Sequence, residues 1–142
     1  MSLEKTFVIL KPDAMRKHVL GKVIERLENA GLKPVAMKMA LLHDAILEEH
    51  YSHLKDKPFF PGLAKFMKDT PVVMGVWEGE NAVAKVRELC GPTDSKKAAK
   101  GTIRGDFGKD VQENIIHASD SIETTNAEIK RFFKDSELFE WR

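Results

Sequence analysis

The chain has a single cysteine, Cys90, among 142 residues. No intrachain disulfide is possible, and a reducing compartment fits. Neither sign of charge is in excess: 23 Lys and Arg against 22 Asp and Glu leave a formal +1. That balance argues against a strongly basic nucleic-acid binder, although a global sum can hide a local basic pocket. No apolar run approaches membrane-spanning length, and Met1-Ser2-Leu3-Glu4-Lys5-Thr6 lacks the basic-then-apolar order of a signal peptide. The expectation is a soluble, cytoplasmic protein with no membrane partner. No repeat, low-complexity tract or Pro/Gly/Ser linker divides the sequence, so residues 1–142 read as one domain, long enough for a single well-filled core. Two nucleotide signatures are missing as well. There is no GxxxxGK[ST], and Gly101-Thr-Ile-Arg-Gly105-Asp-Phe-Gly108 does not have GxGxxG spacing. If the protein handles phosphates, it uses neither a P-loop nor a Rossmann turn.

What is present is a 42% hydrophobic, 32% charged composition, ordinary for a globular chain and unlike a disordered one. Thr6–Leu10 and Pro71–Trp77 are short, continuously apolar runs, the pattern of central strands buried on both faces. Between them Val35, Met37, Met39 and Leu41 alternate with Ala36, Lys38 and Ala40, and Pro34 suits an edge strand. Leu20, Val23, Ile24, Leu27 and Ala30 form a helical stripe closed by Gly31. Asp44 caps a helix carrying Leu47, His50, Tyr51 and Leu54. Pro61 opens another, with Leu63, Phe66 and Met67 facing inward. Val83, Val86, Leu89 and Cys90 mark a third, closed by Gly91-Pro92. From Gly91 to about Glu113 periodicity disappears, which predicts a long functional loop. Asn114–His117 reads as a short strand, and Asp120-Ser-Ile-Glu123 as a cap opening a last helix to about Phe133. The order predicts helices on one side of a small, four-stranded, antiparallel sheet: an α/β (α+β) ferredoxin-like sandwich.

The cations suited to phosphate are Lys11 at the end of the first strand, Arg87 on a helix and Arg104 in the long loop. By composition alone they are more simply three surface cations among 23. Five histidines occur. His50 and His53 are three apart on a helix, but no Cys or further His completes a metal site, so they read as solvated or half-buried imidazoles. His117 ends an apolar segment, and Glu128 on the following helix is placed to point back at it. An imidazole held by a carboxylate, itself held by a hydroxyl, is a nucleophile's arrangement. Taken alone, a histidine in a strand before a capped helix serves structure as readily.

Asn114-Ile-Ile-His-Ala-Ser-Asp-Ser121 strongly resembles the NxxH(G)SDS signature of nucleoside diphosphate kinases. Lys11-Pro12-Asp13, Arg87-Glu-Leu-Cys-Gly-Pro-Thr93 and Gly101-Thr-Ile-Arg-Gly-Asp-Phe107 match family segments in order, as does Tyr51 followed by Lys57-Pro58-Phe59-Phe60. The resemblance covers essentially the whole chain. It implies a kinase that moves the γ-phosphate of a nucleoside triphosphate such as ATP to a nucleoside diphosphate, by a ping-pong route through a phosphohistidine on His117. By matching position, Glu128 would orient the imidazole, with Ser119 as a secondary partner and Tyr51 beside it. Lys11, Arg87, Thr93, Arg104 and Asn114 would hold phosphates and sugar hydroxyls, Phe59 would stack on the base, and Val111 would line its other side. The implied cofactor is Mg²⁺, held mainly by the nucleotide phosphates and reached by Asp120 through water at most. Also implied are a homo-oligomer, tetramer or hexamer, and no specific nucleic-acid partner. An RNA-recognition module on the same fold would carry several aromatics on its central strands, and Thr6–Leu10 offers only Phe7. Ala118 stands where the family most often has Gly, and Thr93–Gly101 lacks prolines many relatives carry.

Overall fold

The computed structural model describes residues 3–142; Met1 and Ser2, which begin the segment read above as lacking a signal, lie outside them. Strand β1 is Leu3–Leu10, followed by the short helix α1 at Pro12–Arg16, α2 at Leu20–Asn29 and β2 at Lys33–Ala40. Helices α3 (Asp44–His50) and α4 (Phe60–Lys68) lead to β3 (Val72–Glu80) and α5 (Ala82–Cys90). A 3₁₀ turn at Ser95–Lys97, α6 (Ile103–Phe107), β4 (Ile116–Ala118), α7 (Ile122–Phe132) and a second 3₁₀ turn at Asp135–Glu137 complete the order. The four strands lie in the order β2-β3-β1-β4, every neighbouring pair antiparallel. This is the ferredoxin-like sandwich, with the two continuously apolar runs in its centre.

Helices cover both faces of the sheet, not one. Val8, Leu10, Val73 and Trp77 pack with Val23 and Leu27 of α2 and Val86 of α5. Phe7, Ile9, Met74 and Val76 pack on the other side with Leu47 of α3, Met67 of α4 and Phe132 of α7. A strand apolar at every position has two faces to keep from water, and each fully buried side chain of this size contributes about 1.5–3 kcal/mol. One layer of helices would leave half of that unclaimed.

Strand β2 lies at the sheet edge as expected, but its side chains do not keep one alternation. Pairing with β3 skips a residue between Pro34 and Ala36. A bulge there reverses which face later residues present, so Val35 is buried while Met37, Met39 and Leu41 are exposed. Caps shift by one residue from the sequence reading. His43, not Asp44, precedes α3 and accepts the Ile46 N–H through its ring. Ser121, not Asp120, caps α7 by accepting the Thr124 N–H. Gly31 has φ 88°, the left-handed residue that ends α2.

The stretch from Gly91 to Glu113 is more ordered than its lack of periodicity suggests. Asp94 and Thr102 each accept a backbone N–H to cap the 3₁₀ turn and α6, and Ile103 and Arg104 are buried. A Cβ at Gly105 would run into the Ala99 carbonyl. Glycine there permits close packing rather than mobility, which a periodicity test cannot distinguish.

Candidate active site

Strand β4 sets the site at the sheet edge. His117 pairs with Ile9 and Ala118 with Val8. The approach to the strand is strained: Ile115, a β-branched residue, has φ 74°. Such a conformation costs on the order of 1–3 kcal/mol and persists only where neighbours over-determine it. Here Asp13 Oδ2 accepts the Ile115 N–H at 2.9 Å, and the Lys11 N–H donates to the Ile115 carbonyl at 2.8 Å. Burial raises the Asp13 carboxyl, while the Ile115 N–H and the Lys11 charge oppose that rise.

The His117 ring meets Glu128 Oε2 through Nε2 at 2.8 Å, and Ser119 Oγ donates to Glu128 Oε1 at 2.5 Å. Both carboxylate oxygens are thereby engaged. An ionised carboxylate only accepts, so His117 carries its proton on Nε2 and keeps the Nδ1 lone pair free. Ser119 and Glu128 are buried, whereas His117 is half-buried and borders a cleft.

The cleft has a volume of about 490 Å³, the size of a small-ligand pocket. It gathers His117, Glu128, Tyr51, Lys11, Phe59, Arg87, Thr93, Arg104, Val111, Asn114 and Asp120 at its walls. Arg87 comes from α5, Arg104 from α6, His117 from β4 and Glu128 from α7, and the others from the connections between elements. Of the sequence-predicted site residues only Ser119 is off the wall, behind Glu128.

The cations differ in how free they are. Lys11 Nζ is buried and donates to the Gln112 carbonyl at 2.7 Å and to Asn114 Oδ1 at 2.8 Å, which leaves one of its three protons uncommitted. Burial, reinforced by Arg104, pushes its ammonium down to about 8. Asn114 is fixed in turn by donating Nδ2 to the Thr93 carbonyl at 2.9 Å. Arg104 is a strut: Nε, Nη1 and Nη2 donate to the carbonyls of Asn114 (3.3 Å), Gly91 (2.9 Å) and Ile116 (2.7 Å). It ties α6, the end of α5 and β4 together, and only two of its five N–H groups remain for anything else. Arg87 is exposed, and its one side-chain hydrogen bond among the described residues is to the Ala118 carbonyl at 3.3 Å.

Phe59 and Val111 are the apolar rim, 56% and 57% exposed, while Leu54 and Leu63 line the wall below. Exposed apolar side chains at a cleft mouth suit a flat, apolar-faced ligand. Tyr51 stacks edge-on against His50, ring centroids 4.6 Å apart. Burial and the Glu128 charge push its phenol up. Asp120 is exposed at the wall, and its carboxyl is held below the usual range by a hydrogen bond from Thr124 and the Arg87 charge. Ala118 is buried in the core with Val8 and Val86, so its methyl has a place in the packing.

The sequence reading set His50 aside as a solvated or half-buried imidazole. It is buried, lies edge-on to His117 with centroids 4.8 Å apart, and lines the cleft. The signal was its place in the stripe Leu47, His50, Tyr51, Leu54, which the helical period turns inward. Asp13 was read only as part of the Lys11-Pro12-Asp13 segment and not as the anchor of Ile115, and Arg131, which contacts His50, carried no local signal.

A cleft walled by cations and closed by an anchored imidazole, on an antiparallel sandwich without a P-loop, defines the class: a transferase for phosphorylated small molecules. Relatives narrow this further. A sequence model described as nucleoside diphosphate kinase matches residues 4–138. The nucleoside diphosphate kinase of Parabacteroides distasonis is 51% identical over 139 residues, 98% of this chain and 91% of that one. The solved structure of a halophilic nucleoside diphosphate kinase from Halobacterium salinarum in complex with CDP superposes with a TM-score of 0.95 at 44% identity, covering 99% of this chain and 94% of that one. That of the Aquifex aeolicus enzyme gives 0.92 at 43% identity, over 96% and 99%. The chain belongs to the nucleoside diphosphate kinase family and is a nucleotide phosphotransferase. No helix among the described residues is long and apolar enough to cross a membrane.

Proposed function

We propose that the chain moves the γ-phosphoryl group of a nucleoside triphosphate to a nucleoside diphosphate in two half-reactions through a phosphohistidine on His117. The observation that carries this is the Ser119–Glu128–His117 chain of hydrogen bonds, which leaves Nδ1 of a partly exposed imidazole unprotonated at the cleft. In the first half-reaction that lone pair forms a bond to the γ-phosphorus. The bond from phosphorus to the β–γ bridging oxygen breaks, and the diphosphate leaves with those electrons. In the second, a terminal oxygen of an incoming diphosphate attacks the same phosphorus and the P–N bond breaks. Positive charge rising on the imidazole is stabilised by Glu128, and Ser119 keeps that carboxylate aimed.

Positioning and charge neutralisation do most of the work in phosphoryl transfer. The free proton of Lys11 and the unpaired edge of Arg87 serve the phosphates. Arg104 holds the floor in shape and offers its two remaining N–H groups, while Thr93 and Asn114 serve phosphate or sugar oxygens. Tyr51 walls the nucleophile. Phe59 and Val111 sandwich the base, which makes recognition indifferent to base identity because every base has an apolar face. Asp120 is an anionic oxygen donor at the wall, the donor type a hard divalent cation takes. It would reach, through water, a Mg²⁺ held mainly by the nucleotide phosphates, and the cation would neutralise phosphate charge. Residues 1–142 act as one domain, in the cytoplasm. The chain works as a homo-oligomer, a reading favoured by the edge position of β2 and its exposed Met37, Met39 and Leu41, which lie beyond the Pro34–Val35 end where Phe139 and Trp141 donate hydrogen bonds.

The test is incubation with γ-³²P-labelled ATP followed by chemical treatment of the labelled protein. A phosphoramidate on imidazole is lost in mild acid and survives hot alkali. Label with the opposite behaviour would move the acceptor to a hydroxyl such as Ser119 or Ser121 and overturn the proposal.

Phe59→Ala separates binding from chemistry. Stacking is the same before and during transfer, so its loss raises KM for all diphosphates and leaves kcat nearly unchanged. With stacking at about 1–3 kcal/mol per base, KM rises roughly five- to a hundredfold. Steady-state kinetics on purine and pyrimidine diphosphates check this; a fall in kcat with KM unchanged would place Phe59 in the chemistry instead.

A further inference from the structure

His50 and His117 face the same carboxylate oxygen. His117 Nε2 lies 2.8 Å from Glu128 Oε2, and His50 Nδ1 lies 3.7 Å from it. A proton on His50 Nδ1 would draw Glu128 away from the nucleophile. Arg131, one turn beyond Glu128 on α7, bears on this competition. Its Nη1 lies 2.9 Å from His50 Nδ1. A guanidinium only donates, so Nδ1 accepts and the single ring proton of His50 sits on Nε2. Arg131 is anchored from outside by Glu49, Nε to Oε2 at 2.9 Å.

We propose that Arg131 is a positioning residue: by occupying His50 Nδ1 it reserves Glu128 for His117 and so keeps His117 in the tautomer whose Nδ1 attacks phosphorus. This rests on the roles proposed above for His117 and Glu128. His50 is faced by His117 from β4, by Arg131 and Glu128 from α7, and by Glu49, Tyr51 and His53 beside it on the chain. Burial first, then the charges of His117, Arg131 and His53, push it down to about 2, so it is neutral throughout the working range. Its Nε2 has no hydrogen-bond partner among the described residues, which leaves Arg131 as the contact that selects the tautomer. Removing Arg131 deletes a donor and a cation together. The proton affinity of His50 then rises, and a proton reaches Nδ1 on the acid side, where it pairs with Glu128.

Two variants and one spectrum test this. Arg131→Met keeps the length of the side chain without donor or charge, and Arg131→Lys keeps both. Proton–nitrogen spectra of the imidazoles in the wild-type enzyme are expected to show His50 and His117 both protonated on Nε2. In Arg131→Met, His50 gains a population protonated on Nδ1, and kcat at neutral pH falls about three- to tenfold with KM little changed, the size of one lost hydrogen bond. The kcat profile gains an acid limb, and Arg131→Lys restores most of the rate. Glu49→Gln, which loosens the anchor of Arg131, shifts the same signals less. A wild-type spectrum with His50 protonated on Nδ1 overturns the proposal whether or not Arg131→Met folds. So does a folded Arg131→Met with unchanged spectrum and pH profile. In both cases His117→Ala, run beside them, still fails to take up label and the nucleophile reading stands. Label persisting on His117→Ala overturns that reading, and the positioning role with it.

Discussion

Replacing His117 with alanine is expected to abolish both transfer to diphosphates and uptake of label from γ-³²P-ATP. A ping-pong route has no chemistry without its acceptor, and among the described residues no other imidazole on the cleft wall is hydrogen-bonded to a carboxylate as His117 is to Glu128; His53, exposed on that wall, has no such partner. His50 is buried, with one nitrogen held by Arg131 and the other inaccessible, so it does not substitute. His18→Asn is the control. His18 is exposed, away from the cleft walls, and sits at φ 59°, a conformation asparagine tolerates. Coupled-assay turnover and autoradiography give the result. If His117→Ala kept even a tenth of wild-type turnover, the acceptor would lie elsewhere and the assignment would fail.

Arg104→Ala is expected to be costly in two currencies. Three carbonyls, those of buried Asn114 and Ile116 and of part-buried Gly91, lose a charged donor. Leaving each without a partner costs about 1–3 kcal/mol, and for a buried network the total is on the order of 3–5 kcal/mol. That is a large share of the roughly 5–15 kcal/mol that holds a domain folded. Because Asn114 and Ile116 precede the nucleophile, kcat/KM should fall as well, by roughly a hundredfold or more in the folded fraction. Arg104→Lys recovers little, since one ammonium cannot span three carbonyls in different directions. Arg87→Ala is the contrast: exposed and with one long contact, it leaves the urea midpoint nearly unchanged. It lowers kcat/KM roughly ten- to 150-fold through lost phosphate contact alone, about 1.5–3 kcal/mol. Urea unfolding and steady-state kinetics on the same preparations separate the two. An Arg104→Ala protein as stable as wild type would show that the arginine is not a strut.

Local pattern carried the architecture a long way. Two unbroken apolar runs are the two central strands, and a proline in the alternating run marks the edge. Gly31 and Gly91-Pro92 end the helices they were expected to end. The motif around His117 carried the family and, through it, eleven of the nineteen residues on the cleft wall. These features are legible because each depends on neighbours in the chain: a side-chain period, a backbone angle only glycine adopts, a spacing tied to one turn of backbone.

The errors fall where distant segments decide. Whether helices cover one face or two depends on which apolar stripe meets which side of the sheet, a matter of packing area rather than period. A one-residue bulge reverses Met37 and Met39 without a mark in composition, because alternation in sequence says nothing about register with β3. The sequence reading of Arg104 as a phosphate ligand is incomplete rather than wrong: three carbonyls from separate segments also bind its guanidinium once α6 docks. His50 looked like a bystander because its ring contacts come from Glu128 and Arg131, 78 and 81 residues away in the chain. By itself, then, the sequence determined the strands, the helices, the family and the chemical types at the site. Only the tertiary structure decided which of those groups are free to act and which are held by one another. Hydrogen-bond partners and desolvation, unlike backbone preference, belong to neighbours in space.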